Sequence, residues 1–181
     1  MEISEWKQRI EMEREEKDAF FKTPFHSPLS FNECQAFKGL NYYPPDWKYR
    51  FELKLQEHEI KKTIKIEDTK GSERDFLRWG EFIFRIEDMD CQLQAYKSLP
   101  EDERLFVPFR DDTSGKETYG AGRYLDLETG RHQTLEGIWI VDFNDAYNPW
   151  CAYSDDYACP FTPPENWLKV PIYAGEKTFT T

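Results

Sequence analysis

Residues Asp142 to Asn166 carry four prolines, Pro149, Pro160, Pro163 and Pro164. A proline inside a helix removes a hydrogen bond and clashes with the preceding turn. In a central strand it removes a ladder donor. The stretch is therefore a long connection without regular structure, of the kind that is usually either functional or disordered. Disordered segments are poor in aromatics, whereas this one holds Tyr147, Trp150, Tyr153 and Tyr157. It reads as an ordered loop, packed by its own side chains, that presents polar groups.

The rest of the chain has to form around that loop. Ile3, Trp6 and Ile10 stand at helical spacing, and Phe20 and Phe21 resume the stripe, which predicts a helix over residues 2 to about 21. Its middle is polar all round, so it is expected to lie on the surface and dock by its two ends, with Glu13 and Lys17 as a surface pair. Ser30 and Glu33 form a capping-box pattern for a second, short helix, with Gly39 as its C-terminal cap. Asn41 to Asp46 is an aromatic turn. Beyond it no helix longer than two turns is expected. Short runs of β-branched and aromatic residues follow instead: Trp47–Leu55, Lys62–Ile66, Phe76–Trp79, Phe82–Ile86, Gln92–Tyr96, Leu105–Phe109, Gly122–Leu127, Thr134–Val141 and Trp167–Ile172. Turn signals separate them at Lys70-Gly71, Trp79-Gly80 and Leu99-Pro100.

This pattern predicts a mainly β protein, an antiparallel meander curled into a barrel or sandwich with the N-terminal helices packed on it. A single domain over 1–181 is expected, with a helical segment at 1–40 and a β-rich body at 41–181 that carries polar loops 110–123 and 142–166. The net charge of −11 argues against a nucleic-acid backbone or an anionic membrane as partner. A small-molecule ligand remains open. No apolar run is long enough to span a membrane and the N-terminus has no signal-like apolar region. Together with four scattered cysteines lacking a C-x-x-C pair, this points to a cytoplasmic protein with reduced thiols.

Loop 110–123 concentrates Arg110, Ser114, Glu117, Tyr119 and Arg123. The two arginines are candidate fork-shaped donors for a carboxylate or phosphate. The alternative is that they pair with Asp111, Asp126 or Asp142 inside the fold. The glycine spacing is not that of a phosphate loop, and Gly-x-Ser-x-Gly is absent. In the second loop Asp142 and Asn144 are expected on one side, where Glu165 and Asn166 would join them in an oxygen-rich pocket. Asn148 before Pro149 reads as a residue that satisfies loop backbone groups. Cys151 and Cys159 are the candidate metal ligands. A zinc site would need two more donors, and His26, His58 and His132 lie in other segments.

The strings Phe106-Val-Pro-Phe-Arg-Asp, Glu117-Thr-Tyr-Gly-Ala-Gly-Arg-Tyr-Leu-Asp126, Asp142-Phe-Asn, Ala146-Tyr-Asn-Pro, Cys159-Pro, Pro163-Pro-Glu-Asn166 and Ala174-Gly-Glu-Lys177 resemble the motif set of an uncharacterised prokaryotic family, domain of unknown function 1684. Ser27-Pro-Leu29 and Gly39 to Asp46 resemble its earlier landmarks. The resemblance implies one compact domain and no particular activity. Residue chemistry supplies the functional expectation: a small-molecule pocket between loops 110–123 and 142–166. In it Arg110 and Arg123 hold an anionic group, Ser114, Glu117, Tyr119, Asp142, Asn144, Glu165 and Asn166 orient polar atoms, and Tyr147 and Tyr153 form the walls. Glu117 or Asp142 would be the general base, assisted by Tyr119 or Arg123, if the site is catalytic. A carboxylate pair for glycoside hydrolysis drawn from Glu117, Asp142 and Glu165 is a related reading. The alternatives are a structural or interaction protein in which the same motifs form a buried hydrogen-bond network, and a metal-dependent enzyme built on Cys151, Cys159 and nearby carboxylates.

Overall fold

The structure is a computed structural model that describes residues 2–180. Helix α1 spans Ile3–Lys22 and starts with a reciprocal capping box between Glu2 and Glu5. Helix α2 spans Phe31–Ala36, where Ser30 N–H donates to Glu33 Oε2 at 2.9 Å as the sequence pattern predicts. Gly39 does not cap it. The helix ends at Ala36, and Gly39 instead passes close to Asp18, whose Oδ1 accepts from Leu40 N–H at 2.9 Å.

Five strands form one antiparallel meander in chain order: β2 (Gln56–Glu67), β3 (Glu73–Ile86), β4 (Met89–Lys97), β5 (Arg104–Phe109) and β6 (Arg123–Glu128). Two others form a separate antiparallel pair: β1 (Arg50–Lys54) and β7 (Ile138–Asp142), in register from Arg50 opposite Asp142 to Lys54 opposite Ile138. Helix α3 (Thr129–His132) is a single turn after β6. Alternating side chains of both sheets share one core. Phe82, Phe84, Leu93, Val107, Phe109, Leu125 and Leu127 meet Trp139 and Val141, with Phe51 and Leu53 packed against them. The rings of Phe51 and Phe84 stand 5.1 Å apart across the two sheets. The packing is sandwich-like and the sheets do not close into a barrel, because β2 and β6 remain sheet edges. No helix among the described residues is long and apolar enough to cross a membrane.

Sequence expectations change at several points of the β-rich body, and the expected strand Thr134–Val141 begins only at Ile138. The break at Trp79-Gly80 is a bulge inside the continuous strand β3, not a turn. A Cβ on Gly80 would lie 2.8 Å from Gln56 O, so the glycine lets β2 approach where the ladder shifts. Trp47–Tyr49 is a 3₁₀ turn capped by Asp46, and the strand begins only at Arg50. Trp167–Ile172 is extended but is not a strand. Leu168 N–H reaches Arg110 O at 2.7 Å and Asp112 N–H reaches Val170 O at 3.1 Å, yet Ile172 N–H is captured by the Asp111 carboxylate at 2.7 Å. A side chain thus takes a donor that a ladder would have used.

Helix α1 docks along its whole length. Trp6, Ile10, Arg14, Lys17 and Phe21 repeat every three or four residues and share one face. Trp6, Ile10 and Phe21 are buried. Arg14 and Lys17, between them, reach across to the loop after β7 and to the C-terminal segment. The polar middle of the helix is thus a wall of the site described next. The expected Glu13–Lys17 pair does not form: Glu13 accepts from Arg9 at 2.9 Å and Lys17 donates to Glu176 at 2.7 Å.

Candidate functional site

Three segments converge on a cleft of about 370 Å³: the middle of α1, the chain from Leu125 to His132, and the loop from Asp142 to Trp150. The loop is fastened to the outer edge of β6, where Tyr124 and Tyr147 exchange backbone hydrogen bonds of 2.9 and 3.1 Å. Behind it runs the C-terminal segment. Gly175 sits at φ +76°, and a Cβ there would lie 2.6 Å from Phe143 O and 2.8 Å from Ala146 O. Only glycine lets the backbones close to this distance, and the closure delivers Glu176 to the cleft.

Glu176 is buried and closely coordinated. One oxygen accepts from Lys17 Nζ at 2.7 Å and from Asn148 N–H at 3.2 Å, and the other from Asn148 Nδ2 and the Tyr153 hydroxyl. Burial still pushes its carboxyl up, with Lys17 holding it down. On the opposite side Arg9 forks to Asp145 Oδ1 at 3.1 Å and to Asp142 Oδ2 at 3.3 Å. Burial, then the neighbouring Asp142, push Asp145 up to about 6, and Arg9 opposes them. His132 accepts from Glu128 N–H through Nδ1 at 2.9 Å, and burial lowers its pKa. Its neutral form therefore carries the proton on Nε2.

Three atoms of the cleft's lining residues are buried and have no hydrogen-bond partner among the described residues: Arg14 Nε, Tyr42 Oη and Asp126 Oδ1. The other Asp126 oxygen accepts from the Tyr147 hydroxyl at 2.5 Å. Leaving a buried polar atom unpaired costs about 1–3 kcal/mol. All three belong to residues that line one hollow, and a guest or water that reached them would complete their bonding. A second hollow of about 460 Å³, between α2 and Phe179, has no such atom among the described residues.

Of the residues singled out in the sequence, Asp142, Asn144 and Tyr147 line this cleft. Asp142 and Asn144 do face each other, with Asn144 Nδ2 donating to Asp142 Oδ1 at 2.8 Å. The cause is a 3₁₀ turn over Phe143–Asp145 rather than continued strand alternation. Asp142 also accepts from Trp6 Nε1 at 2.6 Å, and Asn144 bonds both backbone groups of Asp46 at 2.9 Å. Both are tied into the fold, and Asp142 is saturated with donors, which removes it as a general base. Tyr153 stands behind Glu176 as its hydrogen-bond donor.

The other loop does not reach the cleft. Arg123 is 0% exposed and donates to the carbonyls of Ile172 at 3.0 Å, Glu176 at 3.1 Å and Ala174, and to Asp111 Oδ1 at 3.4 Å. It has no surface to offer an anion and is an internal clasp. Arg110 lies over the Trp167 ring at 4.5 Å. Ser114 Oγ accepts from Asp111 N–H at 3.1 Å. Glu117 is exposed and accepts from the Tyr43 hydroxyl at 3.0 Å. The Tyr119 hydroxyl is 3.6 Å from Cys151 Sγ, and burial pushes its pKa up. The expected oxygen-rich pocket of Asp142, Asn144, Glu165 and Asn166 does not assemble. Asn166 is buried against β4 and β5, bonding Gln94 N–H at 2.7 Å and Pro108 O at 2.7 Å. Glu165 accepts from Tyr96 at 2.6 Å and Arg78 at 3.0 Å. The carboxylates Glu117, Asp142 and Glu165 thus serve three separate networks. Cys151 and Cys159 lie together as free thiols, but no group of three or more metal-type ligands exists among the described residues.

The residues missed in the sequence are Arg14, Lys17, Tyr42, Asp126, Asp145 and Glu176. Tyr42, Asp126 and Glu176 stand inside the motif strings quoted above. Arg14 and Lys17 were visible as the polar members of the α1 face that begins at Trp6.

Comparison with known proteins agrees with this architecture. A solution NMR structure of an uncharacterised protein from Haloarcula marismortui is similar, with 36% identity and a TM-score of 0.73, covering 97% of this chain and 95% of the other. A search of curated proteins found no match. The profile described as "Protein of unknown function (DUF1684)" matches residues 35–177, a span that includes the loops, the clasp and Glu176. The chain belongs to this family, DUF1684.

Proposed function

We propose that the protein binds a small polar molecule in the cleft between α1, the β6–α3 segment and the Asp142–Trp150 loop. The observation that carries this reading is the set of three unpaired buried atoms, Arg14 Nε, Tyr42 Oη and Asp126 Oδ1, on residues lining one hollow. The volume of about 370 Å³ falls in the range of small-molecule sites, roughly 300–1,000 Å³. Six lining carboxylates against the lining cations Arg14, Lys17 and Arg131, with Arg9 paired behind Asp142 and Asp145, still favour a neutral or cationic guest over an anion. Asp126 Oδ1 calls for a donor and Arg14 Nε for an acceptor, so the guest carries both, as polyols, amides and amino alcohols do. Asp145, near 6, gives such a site a proton acceptor at neutral pH.

The test is a thermal-shift screen of small polyols, amides and amines at pH 7, followed by amide chemical-shift mapping of each hit. Hits are expected to perturb Leu125–Glu128 and Asp142–Tyr147, and to be lost in Asp126→Ala but kept in Glu117→Ala. Hits that map to loop 110–123, or none at millimolar concentration, would sink the proposal. For that loop the buried-network reading is favoured, because the Arg123 guanidinium is enclosed by three carbonyls and a carboxylate.

A further inference from the structure

Cys151 and Cys159 take no part in the cleft's bonding, yet their surroundings are built. The segment before Cys159 is clamped onto the turn after β2. Thr69 N–H donates to Cys159 O at 3.1 Å, Cys159 N–H donates to Thr69 Oγ1 at 3.2 Å, and Arg74 donates to Ala158 O at 2.7 Å. Clamped in this way, Cys159 Sγ accepts from Cys151 N–H at 3.3 Å. That contact places the Cys159 sulfur against the Cys151 backbone, so the two cysteines are neighbours in space. On the far side Cys151 Sγ meets the Tyr119 hydroxyl at 3.6 Å. Both thiols are free.

We infer that Cys159 and Cys151 form a hydroperoxide-reactive dithiol, with Cys159 the attacking sulfur and Cys151 the resolving one. The electrostatics support that division. The neighbouring Cys151 thiol lowers the Cys159 pKa against its burial, aided by backbone N–H groups of Cys151 and Trp150 and by the charge of Arg74. The same pairing, and burial, push Cys151 up. The other two cysteines lack this setting. Burial raises Cys91, and the Cys34 thiol is buried in an apolar cluster, donating to Leu29 O at 3.7 Å.

The chemistry closes on itself. The Cys159 thiolate attacks one peroxide oxygen, the O–O bond breaks, and hydroxide leaves and takes up a proton as water. Cys151 then attacks the sulfur of the Cys159 sulfenic acid, a disulfide forms, and the second oxygen leaves as water. Two thiols lose two electrons and one hydroperoxide gains them. Accessibility selects the oxidant. Cys159 is only 8% exposed, which hinders a bulky disulfide such as oxidised glutathione far more than hydrogen peroxide.

The test uses the full chain, fully reduced, at pH 7. It is treated with hydrogen peroxide, quenched by alkylation, and read by intact mass and peptide mapping. The expected product has lost the mass of two hydrogens, joins Cys151 to Cys159, and leaves Cys34 and Cys91 alkylated. It forms about ten-fold faster than any oxidation of those two thiols. In Cys151→Ser a sulfenic acid accumulates at Cys159 and is trapped by dimedone. In Cys159→Ser, Cys151 stays reduced at the same dose. Equal oxidation of all four thiols, or a Cys151–Cys159 bond that forms only after unfolding, overturns the inference. Faster bridging by oxidised glutathione than by peroxide overturns the assignment of the oxidant.

Discussion

Replacing Arg123 by Met keeps an unbranched apolar side chain of similar reach and deletes every side-chain donor. The guanidinium lies 5.1 Å from the Phe109 ring and serves the carbonyls of Ile172, Ala174 and Glu176 as well as Asp111. Truncating one partner of a buried ion pair costs about 3–5 kcal/mol. Three carbonyls losing a charged donor add to that figure, since bonds to charged groups are worth roughly 1.5–3 kcal/mol each. Against it, Asp111 is not stranded. It keeps Ile172 N–H at 2.7 Å, Thr113 Oγ1 at 2.8 Å and Ser114 Oγ at 3.3 Å. The expected loss is therefore about 4 kcal/mol, near the middle of the ion-pair range, and a fall in melting temperature of roughly 8–16 °C for a chain of this size. Urea unfolding at pH 7 measures it, with the slope against denaturant unchanged. Asp111→Asn and the double variant complete a cycle whose coupling is expected to exceed about 1 kcal/mol. A loss below about 1 kcal/mol for Arg123→Met, with the slope intact, would refute the clasp and return Arg123 to the ligand-binding candidates.

Other perturbations test other joints. Asp145 has a pKa raised in the fold to about 6, so between its unfolded value near 4 and 6 the native state holds the extra proton, and its destabilising charge is fully present only above that window. Asp145→Asn should therefore gain more stability relative to the parent at pH 7.5 than at pH 4.5. Thermal melts at both values read the difference, and an equal or reversed gain contradicts the assignment. Trp6→Phe removes the indole donor to Asp142, a 2.6 Å bond to a buried carboxylate, and is expected to lower stability by about 1.5–3 kcal/mol in chemical denaturation. Gly175→Ala drives a Cβ into Phe143 O and Ala146 O at a positive φ. It should cost at least about 1–3 kcal/mol and weaken the amide protection of Asn148 and Glu176 in hydrogen exchange.

The sheet was readable where local chemistry decides it. Alternation at Phe51 and Leu53 and the Ser30–Glu33 box report short-range causes, and both appear in place. The reading failed where a distant partner decides. Gly80 looks like a turn until β2 is seen pressing on it. Trp167–Ile172 looks like a strand until Asp111 intercepts its donor. The same division holds for the site. That the 142–166 loop is ordered and polar follows from its prolines and aromatics. Which of its polar groups are left for a ligand depends on long-range partners, Trp6 and Arg9 for Asp142, Asp46 for Asn144, and β4 and β5 for Asn166. Concentrated polar residues mark both a pocket and a clasp, and only burial separates Arg123 from Arg14.

The β1–β7 pair also sets an order of assembly. Each strand from β2 to β6 pairs with its neighbour in sequence, so the meander closes between near neighbours, with the loop from Phe109 to Arg123 its longest connection. Arg50 must instead find Asp142 across the whole meander, a closure whose entropy is lost before any contact rewards it. Helix α1 depends on that late event, since Trp6 and Arg9 bind Asp142 and Asp145 and Lys17 binds Glu176. It precedes every strand in the chain, yet synthesis supplies these three carboxylate partners only with the end of the seventh and beyond. A helix with a polar centre can wait in water for them, where an apolar one would invite aggregation, and its docking then marks the completed fold.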